Sequence, residues 1–248
     1  VAIALYITSV TSFNPKFAIK TMYIYQVEIS NFCNLTCSYC PHPSQSRAKG
    51  NMTFSTFVDV VELAIECGQK DLFLNNFGEP LIHPELFDFI AYAQTKGIEC
   101  KFITNGILLD EEKARRLAQL GVRDIYLSEH LVGQQERIQE MFKEKSIPLS
   151  IVYTYNPHQQ EKHDWAGQVI SNTTSRRSLT MTLDKHKPCI FETKKRVVVL
   201  WDGSINTCCI DVNGTGIVGT VKDYLGRTDE YEFNAIPLCS TCDLMREK

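Results

Sequence analysis

The chain has no run of five like charges, no apolar stretch long enough to cross a bilayer, no internal repeat and no low-complexity tract. Its 26 Lys and Arg against 29 Asp and Glu leave a formal charge of −3, so neither nucleic acid nor an anionic membrane is an indicated partner. Basic residues cluster only at Lys194, Lys195 and Arg196, which reads as a solvated strand start. Val1 to Val10 is apolar but too short to span, and the Lys16 and Lys20 that follow do not form a cleavage site. Without a secretion signal, the expectation is a cytoplasmic protein with reduced thiols. Because the chain opens on Val and Met22 directly precedes the first strong strand, residues 1–21 read as an extension or tag.

What is abundant is cysteine, ten in 248 residues. A secreted disulfide framework and a set of thiolate metal ligands are the competing explanations, and the missing secretion signal favours the second. A chain of this length buries a core of several layers without disulfides.

From Tyr23 onward, apolar β-type runs alternate with amphipathic helical patterns, the signature of strand-helix units around a parallel sheet. The expected strands are 23–29, 72–76, 99–104, 124–127 and 150–155. Between them the apolar periodicity predicts helices around Phe57–Ile65 and Leu86–Ala93, closed by Gly68 and Gly97, and over 110–120 and 134–145. Ligands of such sheets gather at the carboxyl ends of the strands. The chemistry-bearing motifs fall there: Cys33, Cys37 and Cys40 after the first strand, Gly78-Glu79-Pro80 after the second, Thr104-Asn105-Gly106 after the third and Ser128-Glu129-His130 after the fourth. The stretch after Pro157 is polar. A hairpin is expected where Val197–Trp201 and Ile205–Cys208 flank Asp202-Gly203. Beyond it a loop, with room for a short helix, leads to Cys239-Ser240-Thr241-Cys242.

Three thiolates in one loop hold a cubane cluster with one iron left open, whereas structural zinc usually takes a fourth protein ligand and C-x2-C pairs. The spacing C-x3-C-x2-C, with Tyr39 just before the last cysteine and the loop just after a strand, resembles the signature of the radical S-adenosylmethionine (SAM) superfamily. The resemblance implies an α/β fold built as a partial (β/α) TIM-like barrel of parallel strands. It also implies a 4Fe-4S cluster with an open iron that chelates SAM, and a 5'-deoxyadenosyl radical that abstracts hydrogen from a C–H bond. Asn76-Phe77-Gly78-Glu79-Pro80 looks like the family's GGEP element, with Phe77 where the first glycine usually stands, and it implies that Gly78, Glu79 and Pro80 meet the SAM ammonium group. Thr104, Asn105, Ser128 and Glu129 match positions that contact the rest of SAM.

Cys189, then Gly203 five positions before Cys208, then Cys239 and Cys242, resemble the twitch domain, a short form of the SPASM domain. That resemblance implies an auxiliary 4Fe-4S cluster on these four cysteines, a small C-terminal β-hairpin domain over 186–248 and a barrel over 22–185. A zinc ribbon is the alternative for the same residues. The pattern is similar to that of the subfamily's aminocyclitol dehydrogenases, through Asp211 as well. Their substrate arginine has no counterpart in Asp164–Gly167 or Ser171–Thr174, which leaves Arg176 or Arg177 as substitutes. Cys67 and Cys100 read as packing residues. Cys209 reads either as packing or as a hydrogen-atom donor facing the radical chamber. The implied activity is net two-electron oxidation of a polar small-molecule or peptide substrate, with flavodoxin or ferredoxin as electron donor. Epimerisation through Cys209, cross-linking of a ribosomal peptide and a non-catalytic metal-binding module are the alternatives.

Overall fold

The computed structural model describes residues 21–155, 165–169, 188–227, 231, 233, 235–240 and 242. Nearly all of the expected extension, Asp164, Ser171–Thr174, Arg176 and Arg177 lie outside the described residues.

β1 (Tyr23–Val27) leads through a long loop to α1 (Phe54–Glu66). Strand and helix then alternate through β2 (Asp71–Phe73), α2 (Leu86–Thr95), β3 (Glu99–Lys101), β4 (Ile103–Thr104), α3 (Glu111–Gln119), β5 (Asp124–Ser128), α4 (Gln134–Glu144) and β6 (Ser150–Tyr155). The C-terminal part adds α5 (Ile190–Thr193), β7 (Arg196–Val199), β8 (Ser204–Asn206), β9 (Ile217–Thr220) and α6 (Val221–Tyr224). Helix starts follow local chemistry: Thr53 accepts a hydrogen bond from the backbone of Thr56, and Asp110 from that of Lys113. Gly68 and Gly97 close α1 and α2 in the left-handed conformation that the sequence predicts there.

β2 pairs with β3, β4 with β5 and β5 with β6, all in parallel. The strand expected over 99–104 is broken at Phe102, whose side chain is buried in the core, so its first half bonds β2 and its second half β5. A change of partner within one run lets the sheet curve, and the result is the mixed α/β architecture of a partial barrel.

The hairpin of β7 and β8 is not isolated. β7 bonds β1 in parallel, with Val27 opposite Val199, and β9, which the sequence reading left as loop, extends the sheet to the order β1-β7-β8-β9. Side chains alternate across β7. Val197 and Val199 enter the main core with Ile24, Phe57 and Leu72, while Val198 joins Leu200, Phe191, Tyr25, Cys189 and Cys209 on the other face. Among the described residues no helix is long and apolar enough to cross a membrane.

Candidate active site

The cysteine loop leaves β1 through Asn31, a fully buried side chain that closes the base of the loop. Its amide donates to Gln45 Oε1 (2.9 Å) and Ala48 O (2.8 Å), and its carbonyl oxygen accepts from the Gly50 backbone (2.8 Å). Within the loop Cys33, Cys37 and Cys40 are half-buried, and the backbone of Cys40 bonds Cys37 O. Burial pushes the Cys33 thiol up and that of Cys40 to about 11, and charge on Cys37 adds to both. Lys49 acts against this rise from the far end of the loop. All ten cysteines are free thiols. Among the described residues no three His, Cys, Asp or Glu converge tightly enough for a single ion. A four-iron cubane does not require that, since each of its thiolates takes its own iron.

Gly78 lies against the exit of β1. A Cβ there would stand 2.2 Å from Ser30 O and 2.9 Å from Phe32 O, and its φ of +125° lies where side chains are rarely tolerated, so only glycine fits. The next residue donates its N–H to Phe32 O at 2.8 Å. Glu79 is buried and its carboxylate is already engaged: Oε1 accepts from Thr104 Oγ1 (2.6 Å) and the Leu81 backbone (3.1 Å), and Oε2 from the Asn105 backbone (2.8 Å). Burial raises its pKa, with Thr104 and the two backbone donors pulling it down. The carboxylate therefore braces the ends of β2 and β4 against each other. Asn105 reaches from this brace to Asn34, inside the cysteine loop, at 2.8 Å.

At the end of β5, Ser128 is half-buried and Glu129 is buried with its Oε1 accepting from the backbones of Gln134 (3.1 Å) and Gln135 (3.3 Å) at the start of α4. His130 swings the other way, over the cysteine loop. Its Nδ1 shares a 2.6 Å hydrogen bond with the Tyr39 hydroxyl and lies 3.7 Å from Cys37 Sγ, with the Tyr39 and His130 rings parallel at 6.0 Å. Trp165, in a turn with φ of +54° at Trp165 and +59° at Ala166, donates its indole N–H to Tyr39 O (2.7 Å) and packs on Phe77.

The C-terminal cysteines form a second group. Charge on Cys239 and Cys242 contributes to the raised pKa of both Cys189 and Cys208, the latter pushed up chiefly by burial to about 12. Cys209 is driven up by burial first and then by Cys208, Cys189 and Cys242, and it lies close enough to Tyr25 to raise that phenol's pKa. Asp211 is buried beside Cys208, with one carboxylate oxygen held by the Gly216 backbone (2.8 Å) and Thr215 Oγ1 (3.2 Å).

The stretch from residue 27 to residue 147, which carries the cysteine loop and the Glu79 brace, matches the description "Radical SAM superfamily". Residues 27–147 are a radical SAM domain. A radical SAM domain brings a 4Fe-4S cluster and SAM as cofactors, and the half-buried Cys33, Cys37 and Cys40 of one loop are a donor set that fits the cluster. Among curated proteins, 107 residues are 32% identical to the tungsten-containing aldehyde ferredoxin oxidoreductase cofactor-modifying protein of Pyrococcus furiosus, covering 43% of this chain and 30% of that one. A stretch of 102 residues is 32% identical to the PqqA peptide cyclase of Gluconobacter oxydans, covering 41% of this chain and 28% of that one. The chain thus matches under a third of the length of each of these relatives. The crystal structure of BtrN in complex with AdoMet and 2-DOIA superposes with a TM-score of 0.64 at 19% identity, over 82% of this chain and 79% of BtrN. At that identity the likeness carries the fold.

Two residues near the cysteine loop carry no sequence motif, Glu28 and Trp165. Glu28, at the end of β1, is fully buried and meets Arg47 through both carboxylate oxygens. A charged residue inside a near-continuous apolar strand was the available signal, because a buried charge demands a partner. Trp165 was noted only as part of a stretch that lacks an arginine.

Proposed function

We propose that this radical SAM enzyme removes two electrons from a C–H group of a polar natural-product substrate, a sugar, aminocyclitol or peptide, with an auxiliary 4Fe-4S cluster as acceptor of the second electron. When bound, the reduced first cluster and SAM supply a 5'-deoxyadenosyl radical that takes hydrogen from the substrate. Cys33, Cys37 and Cys40 would hold that cluster, and Asn31 fixes the loop that presents them. Gly78 brings the backbone next to the loop, while Glu79, through Thr104 and Asn105, keeps the strand ends in place around SAM. Tyr39, His130 and Trp165 cover the loop on one side and limit access of water. Cys189, Cys208, Cys239 and Cys242 would hold the auxiliary cluster of a twitch-type domain, taken as residues 186–248 beside a barrel over 22–185.

What supports this reading is the placement of Cys189 at the start of α5 and of Cys208 just past β8, beside the parallel pair of β1 and β7, with Cys239 and Cys242 adding to the burial that raises the pKa of both. Four thiolates close a cluster to substrate and suit it to electron transfer. A flavodoxin or ferredoxin would reduce the first cluster. A second reading takes Cys209, which packs with Tyr25, Phe191 and Val198 on the face of β7 away from the main core, as hydrogen-atom donor to a substrate radical, giving epimerisation without change of mass. The likeness to PqqA peptide cyclase supports a peptide as the substrate class in either case.

Anaerobic reconstitution tests both. The expected outcome is about eight irons per chain with 5'-deoxyadenosine formed from SAM, falling to about four irons in the Cys239→Ala/Cys242→Ala variant while SAM cleavage persists. Bound zinc without 5'-deoxyadenosine would defeat the proposal. Product two mass units lighter supports oxidation, and deuterium taken from heavy water and lost in Cys209→Ala supports epimerisation.

A further inference from the structure

Arg47 stands seven positions past Cys40 and belongs to no motif. Each of its three guanidinium nitrogens donates a hydrogen bond. Nη1 donates to Glu28 Oε1 (2.9 Å), Nη2 to Glu28 Oε2 (2.8 Å) and Nε to Val212 O (2.9 Å). The backbones of Phe77 and Trp201 lie near enough to the Glu28 carboxylate to oppose, with Arg47, the rise that burial causes in its pKa. One buried ion pair therefore joins the exit of β1, the tail of the cysteine loop and the segment that follows Cys208.

The neighbouring residues reinforce the same seam. Gln45 Nε2 donates to Val212 O (3.3 Å), the Ser46 backbone and hydroxyl to Asn213 Oδ1 (2.8 and 2.9 Å), and Trp201 Nε1 to Ala48 O (3.2 Å). A Cβ on Gly50 would stand 2.4 Å from the Trp201 ring, so the tail of the cysteine loop passes in contact with that ring. For stability alone, a buried ion pair is a poor device, since an apolar pair of similar volume serves as well or better. What a bidentate fork adds is direction: it holds two segments at one angle and one offset.

We propose that Arg47 is a positioning residue that locks the cysteine loop and the 208–213 segment into one register, so that the two cysteine sets stand at a fixed separation. The proposal rests on the reading of both sets as metal centres. It applies to electron transfer, because a thiol group displaced by one backbone step changes the path between substrate and acceptor.

The test compares the parent with Arg47→Lys and with the double variant Glu28→Leu/Arg47→Met, using hydrogen–deuterium exchange on metal-free protein and then EPR after anaerobic reconstitution. The double variant removes both charges and keeps their volume, so it is expected to fold. Exchange over 45–50 and 207–216 should rise at least about tenfold while α1 and α2 keep parental rates, and the reduced auxiliary centre should show an altered EPR spectrum. Arg47→Lys keeps the charge and loses the fork, and should quicken exchange in the same two stretches to a smaller degree. Parental exchange over 207–216 in either variant, or an unaltered spectrum in the double variant, would overturn the proposal. Failure of the metal-centre reading shows separately, as a parent protein that takes up no iron.

Discussion

Cys100 lies on β3 with 5% of its surface exposed, and burial pushes its thiol up to about 12. In the unfolded chain a cysteine titrates near 8.5, so the raised folded value makes a contribution to stability that is complete below that pH and is lost as pH rises toward 12. The same shift governs reactivity, since the thiolate is the nucleophile. At pH 8 its population on Cys100 is lower by roughly three orders of magnitude than in the unfolded chain. Alkylation of metal-free protein at pH 8, read by peptide mass spectrometry, should therefore leave Cys100 unmodified until guanidinium is added. Labelling of Cys100 as fast as Cys33 in the native protein would contradict its placement. Burial also raises Cys40 and Cys208, to about 11 and about 12, yet both keep company with other thiols, and that company separates a ligand from a packing residue. The sequence carried this distinction in its spacing: C-x3-C-x2-C and the terminal C-x2-C announced groups, whereas Cys67 and Cys100 stood alone on predicted elements.

At the scale of elements, α4 shows how a motif residue acquires a structural partner. Its N-cap, Gly133, has no side chain to offer, and the first backbone N–H groups of the helix are taken instead by the carboxylate of Glu129, whose second oxygen accepts from Tyr153. A negative charge at a helix N-terminus is favourable, so Glu129→Gln should cost about 0.5–1 kcal/mol and Glu129→Ala about 1–2 kcal/mol in urea unfolding without SAM. SAM affinity measured on the same variants separates the two roles, because loss of affinity at parental stability would make Glu129 a ligand contact and not a cap. The places of α1 through α4 were legible from their apolar periodicity, with Gly68 and Gly97 marking the ends of α1 and α2. β9 was not, since Ile217-Val218-Gly219-Thr220 is short and carries a glycine, and it exists as a strand because β8 offers an edge to pair with. The break at Phe102 was equally hidden: a continuous apolar run says that residues are buried and does not say which neighbour each half bonds.

Over the whole molecule, the positions of the motifs at strand ends were legible, because a parallel sheet sends its loops to one side. Their mutual arrangement was not. Nothing local in the sequence joins Glu28 to Arg47, which meet across a 19-residue loop, or brings β7 to β1, which pair across more than half of the described chain. That long-range pairing sets an expectation for unfolding. Val199 of β7 is fully buried, stands opposite Val27 of β1 and shares a core with Phe57 of α1 and Ile205 of β8. The backbone of Glu28 also donates to its carbonyl at 2.7 Å. Val199→Ala removes two methyl groups from that core and should cost roughly 2–3 kcal/mol, the transfer of the lost groups plus the cavity they leave. Because the cavity opens between the N-terminal strands and the C-terminal hairpin, the whole transition should move together. Far-UV circular dichroism and fluorescence of Trp165 and Trp201, followed in the same guanidinium titration, should give coincident midpoints that shift equally in the variant. If fluorescence moved and circular dichroism did not, the C-terminal region would fold as a unit of its own and the pairing of β7 with β1 would be a docking contact.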